Sequence, residues 1–134
     1  MVTEEQINKA IGGHGLWKQR LRSAIDAGKS EFSVATVRLD NVCDFGKWLY
    51  SLSPAIKATD EYKKIKDIHA KFHAEAANVL NFAVQGKKDD AEKSIAFGGA
   101  FAVLSADLTK AMMLWKKTLK KQVCYVVVVQ HISA

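Results

Sequence analysis

His69 and His73 stand four residues apart in the most regular helical pattern of the chain, His69-Ala70-Lys71-Phe72-His73. Side chains at i and i+4 lie one above the other on a helix face, so the two rings can meet one cation. Neutral imidazole is the commonest protein ligand for metals. Tyr62, Ile65, Phe72, Ala76, Leu80 and Ala83 recur at three- and four-residue spacing around them, which puts both rings inside an apolar stripe. Polar rings in a core stripe need a partner, and one metal ion satisfies both. His14 falls in a second stripe, with Ile7, Ile11, Trp17, Leu21 and Ile25. Cys43 falls in the first turn of a short helix, where the helix dipole favours the thiolate, suited to metal ligation or redox reaction. Three imidazoles and one thiolate form the nitrogen and sulfur set that tetrahedral zinc takes. His14, Cys43, His69 and His73 are therefore the candidate Zn2+ ligands. With all four positions supplied by protein, such a site is structural or sensory; a hydrolytic enzyme keeps one position for water.

The elements that must carry these residues are helices. Thr3-Glu4-Glu5-Gln6 reads as a capping box, opening a helix that Gly28 stops. Gly12 and Gly13 cost that helix about 1 kcal/mol each against Ala, so either another backbone approaches closely there or the helix begins near residue 13. Residues 29 to 40 lack a clear period and read as a loop, with or without a strand-like piece at 32–37. Asp40 or Asn41 caps the short helix through Cys43, Phe45, Trp48, Leu49 and Leu52, which Ser53-Pro54 ends. Thr59-Asp60-Glu61 opens the helix of His69 and His73, and Gly86 closes it. From about Asp89 to Lys120 runs a helix apolar over much of its circumference, which predicts burial on two sides and, in a small bundle, a homodimer interface. The Val-rich stretch 123–134 stands apart. Its composition favours a strand, and an ordered edge, a swapped segment or a disordered end all fit. Cys124 and His131 lie there and are not counted as ligands.

With 134 residues, 49% of them hydrophobic and 25% charged, the chain suits one globular domain. No apolar run approaches the roughly 18 residues of a membrane span, and the polar, acidic start is no secretory signal. A cytoplasmic location with reduced thiols is expected. The net charge is +6, yet the lysines are dispersed. Their densest group, Lys116, Lys117, Lys120 and Lys121, stands where a helix is expected to end and complements its dipole. Neither nucleic-acid nor membrane binding is expected.

Three motifs carry a family resemblance: Gly13-His14-Gly15-Leu16-Trp17-Lys18, then Cys43-Asp44-Phe45-Gly46-Lys47-Trp48-Leu49-Tyr50, then His69-Ala70-Lys71-Phe72-His73. In order and spacing they resemble the chemoreceptor zinc-binding (CZB) domain, over about residues 5 to 120, and the Cys-x-x-Gly-Lys-Trp piece is the most specific. The resemblance implies a bacterial cytoplasmic helical bundle binding zinc through three histidines and one cysteine, which match His14, Cys43, His69 and His73. It also implies attachment to, or interaction with, a chemoreceptor or a diguanylate cyclase, with some members standing alone. No methyl-accepting coiled coil and no Gly-Gly-Asp-Glu-Phe signature stands in this sequence.

The expected fold is all-α, a four-helix bundle with a short additional helix carrying the cysteine, spanning residues 1–122 and followed by the 123–134 tail. The expected function is a zinc-binding regulatory module that reports zinc, or oxidants acting at Cys43, and works as a homodimer. A structural dimerisation module with permanently bound zinc is the alternative. No catalysis is expected, since no carboxylate stands beside the histidines as a general base. Gly46, Trp17 and Trp48 are assigned to packing around the site.

Overall fold

The computed structural model describes the backbone of residues 2–133 and the side chains of residues 2–119. Helix α1 (Glu4–Ala27) starts at the expected capping box. The Gln6 N–H donates to Thr3 Oγ1 at 3.2 Å, and the Thr3 N–H donates to Gln6 Oε1 at 2.9 Å. Gly28, at φ 69°, ends it in a left-handed cap. A one-turn helix α2 (Val34–Val37) follows where a loop or strand was expected. Buried Val37 anchors this turn against α5, so packing decides what local composition left open.

Helices α3 (Asp44–Ser51) and α4 (Pro54–Lys57) are short, with Pro54 both breaking α3 and opening α4. Helix α5 (Asp60–Val84) is the central element and contacts α1, α2, α4, α6 and α7. Its stripe is buried as the periodicity requires: Ile65, Phe72 and Leu80 meet Ile7 and Leu21 of α1 in one core.

The long fourth helix expected from the sequence is two helices, α6 (Lys88–Ile95) and α7 (Ala100–Ser133). The break lies at Gly98, with φ 82°, and Gly99, where a Cβ would overlap the carbonyl oxygens of Lys93 and Ser94. The buried Ser94 ties the corner down. Its hydroxyl donates to Glu75 Oε1 at 2.8 Å and accepts from the Phe101 N–H at 3.1 Å. Helices α1, α5, α6 and α7 thus form the bundle, and α3 is the additional short helix. Among the described residues there is no strand.

Helix α7 does not stop near Lys120. Its backbone stays helical through the Val-rich run to Ser133, so the lysine group lies within a helix rather than at its end, and the strand expected from composition is absent. Contrary to the expectation that nothing here approaches a membrane span, the stretch Lys88–Leu119 is long and apolar enough to cross one by length and composition alone. Of its apolar window 28% is buried within the chain, and the break between Ile95 and Ala100 divides the stretch. Here it packs on α5 and α1.

Candidate metal centre

Three elements deliver four side chains to one point. Helix α1 brings His14, helix α5 brings His69 and His73, and the turn before α3 brings Cys43. Their ligand atoms all lie within 4.8 Å of one another. His69 Nε2 is 3.1 Å from His14 Nε2 and 3.1 Å from His73 Nε2. Cys43 Sγ is 3.4 Å from both His69 Nε2 and His73 Nε2. Zinc bonded to nitrogen and sulfur at its usual lengths would set tetrahedron edges of ~3.3 Å for N···N and ~3.6 Å for N···S. Four of the six edges match these lengths within a few tenths of an ångström, and the two from His14 to Cys43 and to His73 lie within 4.8 Å, so the donor set fits the ion.

Two of the rings are oriented by backbone carbonyls. His14 Nδ1 donates to the carbonyl of Ala10 at 2.9 Å, and His73 Nδ1 donates to that of Val37 at 3.0 Å. A carbonyl only accepts, so both Nδ1 atoms carry the proton and both Nε2 lone pairs face the centre. One proton on His69 Nε2 could serve only one of these lone pairs at a time, whereas a cation serves both. Among the described residues, the buried His69 Nδ1 has no hydrogen-bond partner. Its ring is held by packing, with the Phe45 centroid 5.1 Å away edge-on.

Burial also sets the protonation states. It brings His14 from 6.5 to about 4, against the opposing hydrogen bond to Ala10. Burial, then the charges its histidine neighbours would carry, brings His69 to about 2. His73 is lowered by burial too, opposed by the Val37 carbonyl and by Asp40. All three rings are neutral at pH 7, the form that ligates. The thiol moves the other way. Burial raises Cys43 above its ordinary value and outweighs the backbone N–H groups of Gly46 and Phe45. The thiolate expected from the helix dipole is therefore not the resting form without metal, because desolvation is the larger effect. A coordinating thiol is deprotonated outright.

Cys43 itself is the N-cap of α3, a role expected of Asp40 or Asn41. Its Sγ accepts from the Gly46 N–H at 3.2 Å. A Cβ on Gly46 would overlap the carbonyl oxygen of Asp40, which explains the Cys-x-x-Gly spacing in physical terms. Trp17 is buried beside His73, and Trp48 stacks between Phe45 and Trp115, so both pack around the site as expected. The expected close approach at Gly12 and Gly13 is absent: a Cβ at either meets nothing within 4 Å, and α1 runs through both. Cys124 and His131 lie outside the described side chains. The carbonyls of Ala10 and Val37 went unnoticed in the sequence. A main-chain oxygen leaves no composition signal, although Ala10 stands at i−4 from His14, where a helix brings its carbonyl near.

The chemoreceptor zinc-binding domain family matches residues 14–80, half of the chain. That span runs from the first histidine through the whole His69/His73 face. Comparison with curated proteins and with solved structures found no match. This chain belongs to the chemoreceptor zinc-binding domain family, and its cofactor is Zn2+.

Proposed function

We propose that this domain is a zinc-responsive sensory module of bacterial signal transduction, in chemotaxis or cyclic-di-GMP signalling, with His14, Cys43, His69 and His73 as the ligands. The observation that carries the reading is the convergence of three histidines and one cysteine whose ligand atoms all lie within 4.8 Å of one another. The site gathers α1, α3 and α5, so metal binding energy becomes energy of helix arrangement. Filling the tetrahedron with protein leaves no position for a reacting water, and the module acts by binding rather than catalysis. Cys43 is partly exposed, and its oxidation would remove one ligand, giving oxidants a second input to the same centre.

The module works as a cytoplasmic homodimer, fused to or docking on a chemoreceptor or a diguanylate cyclase. In support, Val103 and Leu114 share one side of α7 at 47% and 45% exposure, with Met113 beside them at 44%. A second reading, a dimerisation module with permanent zinc, is favoured by how deep the ligands lie, with His69 at 0% and His73 at 2% exposure.

Elemental analysis of the purified chain beside Cys43→Ala tests the assignment. One zinc per chain, weakened or lost in the variant, is expected. No zinc after reconstitution under reducing conditions would refute it. Release of zinc within the cell's free-zinc range, or on oxidation, separates sensor from permanent structural site.

A further inference from the structure

A cleft of about 530 Å3 opens between α1 and α3, and its lining includes His14 and Cys43 but neither His69 nor His73. Its volume falls within the roughly 300–1,000 Å3 of small-molecule sites. Two cations and one carboxylate line it, Lys9, Arg20 and Asp44. The Arg20 guanidinium is held in place, 5.0 Å from the Trp17 ring centroid and 5.3 Å from that of Phe32. Among the described residues neither Lys9 nor Arg20 is ion-paired. Gly13 also lines the cleft, and a Cβ there would meet nothing within 4 Å. Alanine would stabilise α1 by about 1 kcal/mol at each of its three mid-helix glycines, Gly12, Gly13 and Gly15, which all lack a neighbour within 4 Å of an added Cβ; Gly13 is the one of them that lines the cleft.

We propose that this cleft is the port for zinc exchange, and that it admits small organic anions bearing a metal-binding donor, which take and deliver the ion at its His14–Cys43 edge. The inference rests on the ligand assignment above. Its logic is electrostatic and steric. A bare dication meets a net-positive lining, whereas an anionic complex of the same metal is attracted to it. The remaining two ligands are sealed in the core, at 0% and 2% exposure for His69 and His73, so the α1–α3 side is the face on which a competing donor meets the ligands. The absent side chain at Gly13 leaves room for that donor's body.

The test follows zinc release from the full, zinc-loaded chain to an anionic aminocarboxylate chelator and, separately, to a neutral diimine chelator. For the native chain, release should accelerate with chelator concentration, because the chelator attacks the bound ion. In a Lys9→Glu/Arg20→Glu variant, release to the anionic chelator should slow by about tenfold, with release to the neutral one unchanged. In Gly13→Leu, release to both should lose its dependence on chelator concentration. Equilibrium zinc affinity should hold in both variants, since one port serves uptake and release alike. Release independent of chelator concentration in the native chain, or unaltered in both variants, overturns the port while leaving the zinc site standing. A chain that takes up no zinc overturns the ligand assignment and the port together.

Discussion

Two glycines with opposite surroundings make a pair of substitutions whose signs should differ. In a helix interior, Gly to Ala gains about 0.8–1.0 kcal/mol. At Gly13 nothing stands within 4 Å of the added carbon, so Gly13→Ala should collect most of that gain. At Gly46 the added carbon would overlap the carbonyl group of Asp40 and crowd the Cα of Asn41. These are main-chain atoms and cannot rotate away, so the turn 40–43 must move. Overpacking of this kind costs about 1–3 kcal/mol, and loss of the Gly46 N–H to Cys43 Sγ cap adds about 1 kcal/mol. The net for Gly46→Ala is a destabilisation of roughly 1–3 kcal/mol once the propensity gain is subtracted. Because the shifted turn carries Cys43, zinc affinity should fall as well, by the ~10–100-fold typical of disturbed supporting groups. Thermal unfolding of the metal-free proteins, followed by circular dichroism, should show Gly13→Ala melting about 3–5 °C higher and Gly46→Ala several degrees lower. A competition titration with a zinc indicator reads the affinities. If Gly46→Ala melts and binds zinc like the parent, the account of the Cys-x-x-Gly turn is wrong.

Cys43→Ala should weaken zinc binding by more than the roughly 10–100-fold of a supporting group while keeping most of the helicity, which a titration with parallel far-ultraviolet spectra will show; unchanged affinity would sink the proposed mechanism. The metal-free chain should lose stability in acid. The folded value of His14, about 4, lies below its ordinary 6.5, so only the unfolded chain takes that proton as pH falls. The stability it contributes is intact above about 6.5 and erodes down to about 4, by as much as ~3 kcal/mol for this ring. Urea midpoints across that interval should fall, and more shallowly in His14→Phe. Ser94→Ala removes one partner from Glu75 and another from the Phe101 N–H, which should cost about 1–3 kcal/mol without touching zinc affinity, since neither partner is a metal ligand. A drop in affinity would show that the α6–α7 corner is coupled to the site. Charge on the exposed side of α7, as in Leu114→Glu, should convert a dimer to monomers in sedimentation; an unaltered sedimentation profile would place the interface elsewhere.

The stripes of α1 and α5 were legible because each is a long amphipathic pattern with a cap at its start: Thr3 and Thr59 open these helices as expected, and Gly28 and Gly86 punctuate their ends. The three histidines were legible for the same reason, since an imidazole ring inside an apolar stripe must find a partner there or pay for its desolvation, and Cys43 was legible from its place at the start of the short helix. What escaped was set by contacts distant in sequence. The α6–α7 corner looks helical in composition and is broken by the closeness of Gly99 to the end of α6. The turn at Val34–Val37 gains its shape from burial against α5, not from its β-branched residues. The Val-rich run is helical because it continues a long helix already under way, a propagation effect that a propensity reading of its own residues misses. The thiol's proton affinity likewise follows from its desolvation, which no local pattern reports.

The connection from α1 to α3 is held to the rest of the molecule by attachments that also define the ion's surroundings. The Val37 carbonyl grips the back of His73, and Cys43 faces His69 and His73 from the other end of the same segment. A substitution in this strap, however far from the ligands along the chain, therefore alters the tilt of an imidazole or the reach of a sulfur. The strap is a natural place for tuning. Related chains could set their threshold for metal by changing loop length or packing between residues 29 and 42, with the four donors untouched.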